Sequence, residues 1–261
     1  MPAGFSPPVR GTRRTDRLPR VEIYDALAAE EAAFDDLLSR LSPADWHRDS
    51  ACGGWSVADV VLHLAQCEEA VVATLAGRPF DWRAFGGTVE SAMDAYVGAE
   101  RASGETVVAR WQAARVPALA AFRAADPSSR ITWVEGTMRP ASLATTRLAE
   151  HWTHGLDIAD PLGLPYPATE RLRHVAWLAH ATLPYAYRLR GETAPSLRCE
   201  LTGPSGAAWE FGPSQAEVTV RGSGADFCRV AAQRLDVAQA ELRATGDRGA
   251  EVLARLRSYA A

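Results

Sequence analysis

The spacing of apolar residues changes character along the chain, and those changes predict its organisation. Residues 1–20, "MPAGFSPPVRGTRRTDRLPR", have no apolar period and are rich in proline and arginine, which predicts a disordered arm. From Val21 a helical stripe begins. Ile23, Leu27, Phe34, Leu37, Leu38 and Leu41 recur at helical spacing, with Glu30 as the polar gap in the stripe. After the loop "SPADWHRDSACGGW" a second helix is predicted, with Ser56 as N-cap, Asp59 at the capping-box position, and Gly77 and Pro79 closing it. A third helical region spans roughly Val89 to Ala125, interrupted near "ASGE", and a fourth begins near Ser142. Four helices joined by short or moderate loops predict an antiparallel bundle over residues 21–163.

At "DPLGLPYP" the helical pattern breaks, which predicts a domain boundary. One further helix follows, crossed by Pro184, and then the period drops to two in "LRCEL", "AAWEF" and "AEVTV". Helical segments "GADFCRVAAQRL" and "DRGAEVLARLRSY" end the chain. Residues 166–261 are thus expected to form a smaller α+β domain, an antiparallel sheet with helices on one face. The fold class is mainly α.

Composition narrows the function. At 261 residues, 47% hydrophobic and 23% charged, the chain can bury a substantial core. A net charge of −4 argues against nucleic acid as a partner. All 28 basic residues are arginine. With no long uncharged apolar run and no signal peptide, the expectation is a cytoplasmic protein without a membrane partner, a monomer or homodimer acting on a small molecule. Cys52, Cys67, Cys199 and Cys228 are scattered, with no C-x-x-C pair, and are expected to be free thiols.

The chemistry concentrates in "RLAEHWTHGLDIAD", residues 147–160. On a helical wheel Arg147, Glu150, His154 and Asp157 form one stripe, and Leu148, Trp152 and Leu156 form another. Such a pattern describes any half-exposed helix, with Arg147 and Glu150 an ordinary i, i+3 pair. It also describes part of a metal site, because Glu150 and His154 at i, i+4 can converge on one point. Two ligands do not make a site, and the candidate for the third is His63, near the edge of the apolar face in "VVLHLAQC". A histidine there is also a common core residue. Two imidazoles and a carboxylate would leave coordination positions open, as catalytic zinc sites do. Asp157, one turn beyond His154, could orient its ring, and His151 could be an alternative ligand. Cys67, four residues after His63, could approach the same point, whereas His47, His174 and His180 have no ligand spacing.

"CGGWSVADVVLHL" and "TRLAEHWTHGLDIADPLG" together resemble the DinB-like, mycothiol-dependent maleylpyruvate isomerase superfamily, and in particular an actinobacterial group of uncharacterised metal-binding members. "LRCELTGPSGAAWEFGP" and "ADFCRVAAQRL" resemble the second domain of that group. The resemblance implies a four-helix bundle holding a divalent metal, zinc foremost, through His63, Glu150 and His154, with Trp55 and Asp59 completing the first motif. It also implies mycothiol as a cofactor, activated by the ion for isomerisation or S-transfer on a small electrophile. Arg147, and by position Arg83 or Arg139, are candidates to hold a substrate carboxylate; Arg147 and Asp157 are the candidate catalytic residues. Two other functions fit the same residues: a thiol-independent, metal-assisted tailoring enzyme of secondary metabolism, and a bundle that binds a metal or small molecule without turnover.

Overall fold

The structure, a computed structural model, describes residues 20–134 and 136–258. The expected N-terminal arm lies outside these residues except for Arg20, which opens the first helix. Helices α1 (Arg20–Ser39), α2 (Val57–Leu75), α3 (Val89–Ala99), α4 (Gly104–Ala124) and α5 (Pro140–Leu162) form the first part of the chain. The interruption foreseen near "ASGE" separates α3 from α4, where Ser103 caps the new helix by accepting from the Thr106 N–H. The bundle proper is α1, α2, α4 and α5: α2 lies against α4 and α5, α1 against α5 and α4, and α3 rests on α2. A short antiparallel hairpin, β1 (Ile131–Trp133) with β2 (Gly136–Met138), precedes α5. Its three-residue strands are too short to register as a period of two.

Helix α6 (Leu172–Arg188) leads into β3 (Leu197–Thr202), β4 (Ala208–Phe211), β5 (Val218–Ser223), α7 (Gly224–Ala231), β6 (Leu242–Thr245) and α8 (Gly249–Arg255). The sheet order is β4-β3-β5-β6. β3 and β5 run parallel, so the expected all-antiparallel sheet is corrected to a mixed one. The hairpin return of β4 ends level with the start of β3, so residues 212–217 suffice to carry the chain across to β3's free edge. Alternate residues point inward from the sheet, among them Leu197, Cys199, Leu201, Trp209, Phe211, Val218 and Val220. Helices α6, α7 and α8 pack against the sheet.

One apolar cluster runs from Leu27, Phe122, Leu148, Trp152 and Leu156 of the bundle through Val175 and Tyr187 of α6 to Trp209, Val220 and Phe227. A second fills the other end of the bundle with Phe34, Leu37, Val60, Leu64, Trp111 and Ile158. Helix α5 contributes to both and is therefore covered on both of its stripes: Leu148, Trp152 and Leu156 are buried, and so are Arg147, His151, His154 and Asp157. Glu30 is buried as well, accepting from Tyr166 Oη at 2.6 Å and Arg171 Nε at 2.8 Å. No helix among the described residues is long and apolar enough to cross a membrane.

Candidate metal centre

The start of α2 is fixed by a reciprocal capping box, in which Ser56 Oγ accepts from the Asp59 N–H and Asp59 Oδ2 accepts from the Ser56 N–H. Asp59 also pairs with Arg101 Nε at 3.0 Å. One turn further on, His63 emerges toward α5. Trp55, just before the cap, donates its indole N–H to Asp94 of α3 at 2.9 Å and lays its ring 5.1 Å from that of His63.

Across from it stand Glu150 and His154. Glu150 Oε2 lies 3.6 Å from His63 Nε2 and 3.4 Å from His154 Nε2. One ligand atom from each of the three side chains falls within 4.8 Å of the others. Both imidazoles are buried, and Glu150 is partly exposed. His154 Nδ1 faces Asp157 Oδ2 at 2.9 Å, which orients the ring so that Nε2 points to the common point; in the neutral ring Nδ1 would carry the proton and Nε2 the lone pair. Asp157 is itself clamped by Arg234, whose Nε meets Oδ1 and whose Nη2 meets Oδ2 at 2.8 Å.

The side chains of the cluster hold one another in their charged forms. Burial pushes the Glu150 carboxyl up, yet hydrogen bonds from His154 and His63 overcome it and hold the group well below the usual carboxylate range. Burial works against the charge on His154, but Asp157, Cys52 and Glu150 outweigh it and raise its pKa well above the ordinary value. His63 is likewise carried to about 9, against burial, chiefly by Cys67 and Glu150. Protons and a divalent ion would compete for the same lone pairs. Two borderline nitrogens and one carboxylate oxygen suit a divalent ion such as zinc, and the buried Asp157–His154 contact is the outer support such ligands receive.

Arg147, in the same stripe, takes a different partner. It is buried, and its Nε donates to Glu68 of α2 at 2.9 Å. His151 stands beside this pair, donating from Nδ1 to the Arg147 carbonyl at 2.9 Å and accepting the Trp111 indole N–H on Nε2 at 3.0 Å. With both nitrogens engaged, burial and the Arg147 charge push its pKa to about 3, so the ring is neutral. Glu31, Glu68 and His151 also bring ligand-type atoms within 4.8 Å of one another. Arg147 already places positive charge on Glu68, and His151 offers no free lone pair. That trio is a buried charge network beside the candidate metal centre.

Burial, with Glu68 nearby, raises the Glu31 pKa to about 8. Folding therefore favours the protonated acid, and its contribution is present at low pH and is lost as pH rises from the unfolded carboxylate range through about 8. The Glu31→Gln variant is expected to lose less stability than the wild type between roughly pH 6 and pH 8.5. Urea unfolding at both pH values checks this, and equal losses in the two proteins would exclude Glu31 as the source.

Cys67 does approach the centre, with Sγ 3.8 Å from His63 Nε2. The other candidate arginines separate. Arg83 lines a cavity of about 370 Å³ that also borders Cys67, whereas Arg139 sits at the N-cap of α5. Arg234, which holds Asp157 from beyond α7, carried no signal of spacing in the sequence. It follows Gln233, the one described non-glycine residue with positive φ (60°), whose amide donates to the carbonyls of Val230 and Leu256.

Two imidazoles and a carboxylate converge from neighbouring helices of a bundle with a sheet-bearing C-terminal part, which defines the class as a helical-bundle protein with a group of side chains that could hold a metal ion. Comparison with known proteins gives the family. The family described as "Mycothiol maleylpyruvate isomerase N-terminal domain" matches residues 27–159, and the chain belongs to it. Two uncharacterized proteins of Mycobacterium tuberculosis are 32% identical to it over 231 residues, covering 85% of this chain and 88% of theirs. A crystal structure of the mycothiol-dependent maleylpyruvate isomerase is similar in fold, with a TM-score of 0.61 and 20% identity over 89% of this chain and 94% of that one. A histidine-to-alanine mutant of that enzyme gives 0.60 and 19%, covering 84% and 90%.

Proposed function

We propose that this protein is a metal-dependent enzyme that uses a small thiol of the mycothiol type to isomerise, or to transfer sulfur to, a small electrophilic substrate. The observation that carries the proposal is the convergence of His63, Glu150 and His154, inside the segment that places the chain in its family. A divalent ion bound there would lower the pKa of a thiol and hold the thiolate. The chain's own residues would do the rest. Asp157 would keep the His154 proton on Nδ1, His154 and Arg234 together keep Asp157 ionised against its burial, and Trp55 packs its ring beside that of His63. Arg147 bears on Glu150 through its charge and holds Glu68, which supports an electrostatic part for it in place of a substrate contact.

Asp157→Asn is expected to weaken metal binding by about 10–100-fold, the range found for outer partners of metal-bound imidazoles. A competition titration with a chromophoric chelator measures it, and an unchanged affinity would remove Asp157 from the centre.

Maleylpyruvate and mycothiol, the substrate and thiol in the names of the structural relatives, are the first pair to assay. Turnover by the metal-loaded protein is expected to require the thiol. Calorimetry should show mycothiol binding to the wild type and not to Glu150→Ala. No binding at millimolar thiol would contradict the proposal. It would favour the second reading, a thiol-independent tailoring enzyme, which the cavity beside Cys67, lined in part by Phe80, Trp82, Tyr96 and Trp133, supports because a room of about 370 Å³ admits a bulkier, less polar substrate.

A further inference from the structure

Helix α3 supplies no ligand to the cluster of His63, Glu150 and His154, yet one of its side chains reaches the wall beside it. A capping box between Thr88 and Ser91 fixes the phase of the helix. That phase buries Ala92 and Val97 and leaves the other side chains of α3 at least partly in water. Asp94 lies three residues before Val97, on the same side of the helix. It is exposed and forms no ion pair among the described residues. Its side-chain hydrogen bond there is the one it accepts from Trp55 Nε1 at 2.9 Å.

Trp55 stands where that bond has an effect. Its backbone is pinned by the Trp55 N–H to the Cys52 carbonyl and by the Ser50 N–H to the Trp55 carbonyl, each at 3.0 Å. The indole is 8% exposed and packs in the same apolar cluster as Val97. Its ring is tilted against that of His63 at 5.1 Å and stacked on that of His154 at 6.4 Å, while the two imidazoles meet edge to face at 5.2 Å. The three rings are one packed group, and within it both Nε2 atoms face Glu150 Oε2, at 3.6 and 3.4 Å. Apolar packing holds the indole in place but prescribes no direction. A buried indole N–H needs an acceptor, so the bond to Asp94 is what selects the orientation of the ring.

We propose that Asp94 is a positioning residue: through Trp55 it sets how His63 and His154 face Glu150, which makes the seating of α3 on the bundle a determinant of the geometry of the centre. The effect on an ion rests on the metal reading above; the placement of the three rings does not. The far end of α3 is fastened separately, where Glu100 accepts from Gln66 Nε2 at 3.1 Å and from Arg110 Nη1 at 2.7 Å. Loosening that end is therefore the control for mere attachment of the helix.

Nuclear Overhauser spectra of the metal-free protein read the ring placement. The wild type should show cross-peaks from the Trp55 indole protons to the ring protons of His63 and His154. Asp94→Ala should lose them. Asp94→Asn keeps an acceptor oxygen and should retain them, as should Glu100→Ala. Asp94 is exposed, so its variants remove no packed side chain. Cobalt(II) affinity should fall by about tenfold in Asp94→Ala, the lower end of the range for outer partners of metal-bound imidazoles, and recover in Asp94→Asn. A wild type that takes up no cobalt would remove the metal reading and leave the cross-peaks to decide this one. Cross-peaks unchanged in Asp94→Ala, lost equally in Glu100→Ala, or not restored by asparagine would overturn the assignment.

Discussion

Replacing Arg147 with methionine is expected to lower the unfolding free energy by about 3–5 kcal/mol, the usual consequence of stranding one member of a buried ion pair. Both partners are almost wholly inaccessible, Arg147 at 2% and Glu68 at 0% of side-chain exposure, and their contact is 2.9 Å. The intact pair is not itself a large stabiliser. Glu68 Oε2 and Arg147 Nη2 have no hydrogen-bond partners among the described residues, and desolvation opposes the Coulomb attraction. Removing the arginine is a different matter, because Glu68 then faces Glu31 and Glu150 with its main compensating charge gone. Its pKa, already raised by burial, must rise further until it binds a proton. For a chain of this size the melting temperature should fall by on the order of 10 °C. The pair Arg147→Met with Glu68→Met should recover most of the loss, since the stranded charge is gone. A single variant as stable as the wild type, or a double variant as unstable as the two single losses added together, would refute this account of the core.

Several of these relationships can be read from residues alone. The capping box at Ser56 and Asp59 fixes the phase of α2, and that phase carries His63 toward the i, i+4 pair on α5. The polar and apolar stripes of α5 are also visible, but their setting is not. A periodic helix shows which residues share a face, and only packing shows that both faces are covered. Thus Arg147 reads as a substrate-binding cation in the sequence and lies in a buried pair in the structure. Glu30 interrupts an apolar stripe as an oddity until Tyr166 and Arg171, far along the chain, are found to satisfy it. Arg234 is the extreme case: it supports Asp157 across 77 residues, through a turn whose left-handed residue is a glutamine. The parallel pairing of β3 with β5 is hidden for a similar reason, since period two reports a strand and says nothing of its neighbour.

The second large effect concerns the metal. In the proposed centre His63 and His154 would supply the two nitrogens, and Glu150 lies within 3.6 Å of both. Losing either imidazole leaves one nitrogen and one carboxylate oxygen as ligands, so the affinity for a divalent ion should fall by more than about 100-fold, beyond the range for an outer partner. Turnover should disappear with it. His47, in the 45–47 turn, supplies no atom to the centre, and His47→Ala should keep full affinity.

The most direct measurement is a cobalt(II) titration of purified wild type and of His154→Ala, followed by visible absorption and by metal analysis after gel filtration. The wild type should take up one ion per chain, with ligand-field bands of a nitrogen- and oxygen-coordinated site. His154→Ala, still folded by circular dichroism, should retain none. Equal, stoichiometric metal in both proteins would contradict the assignment of His63, Glu150 and His154 as the metal centre.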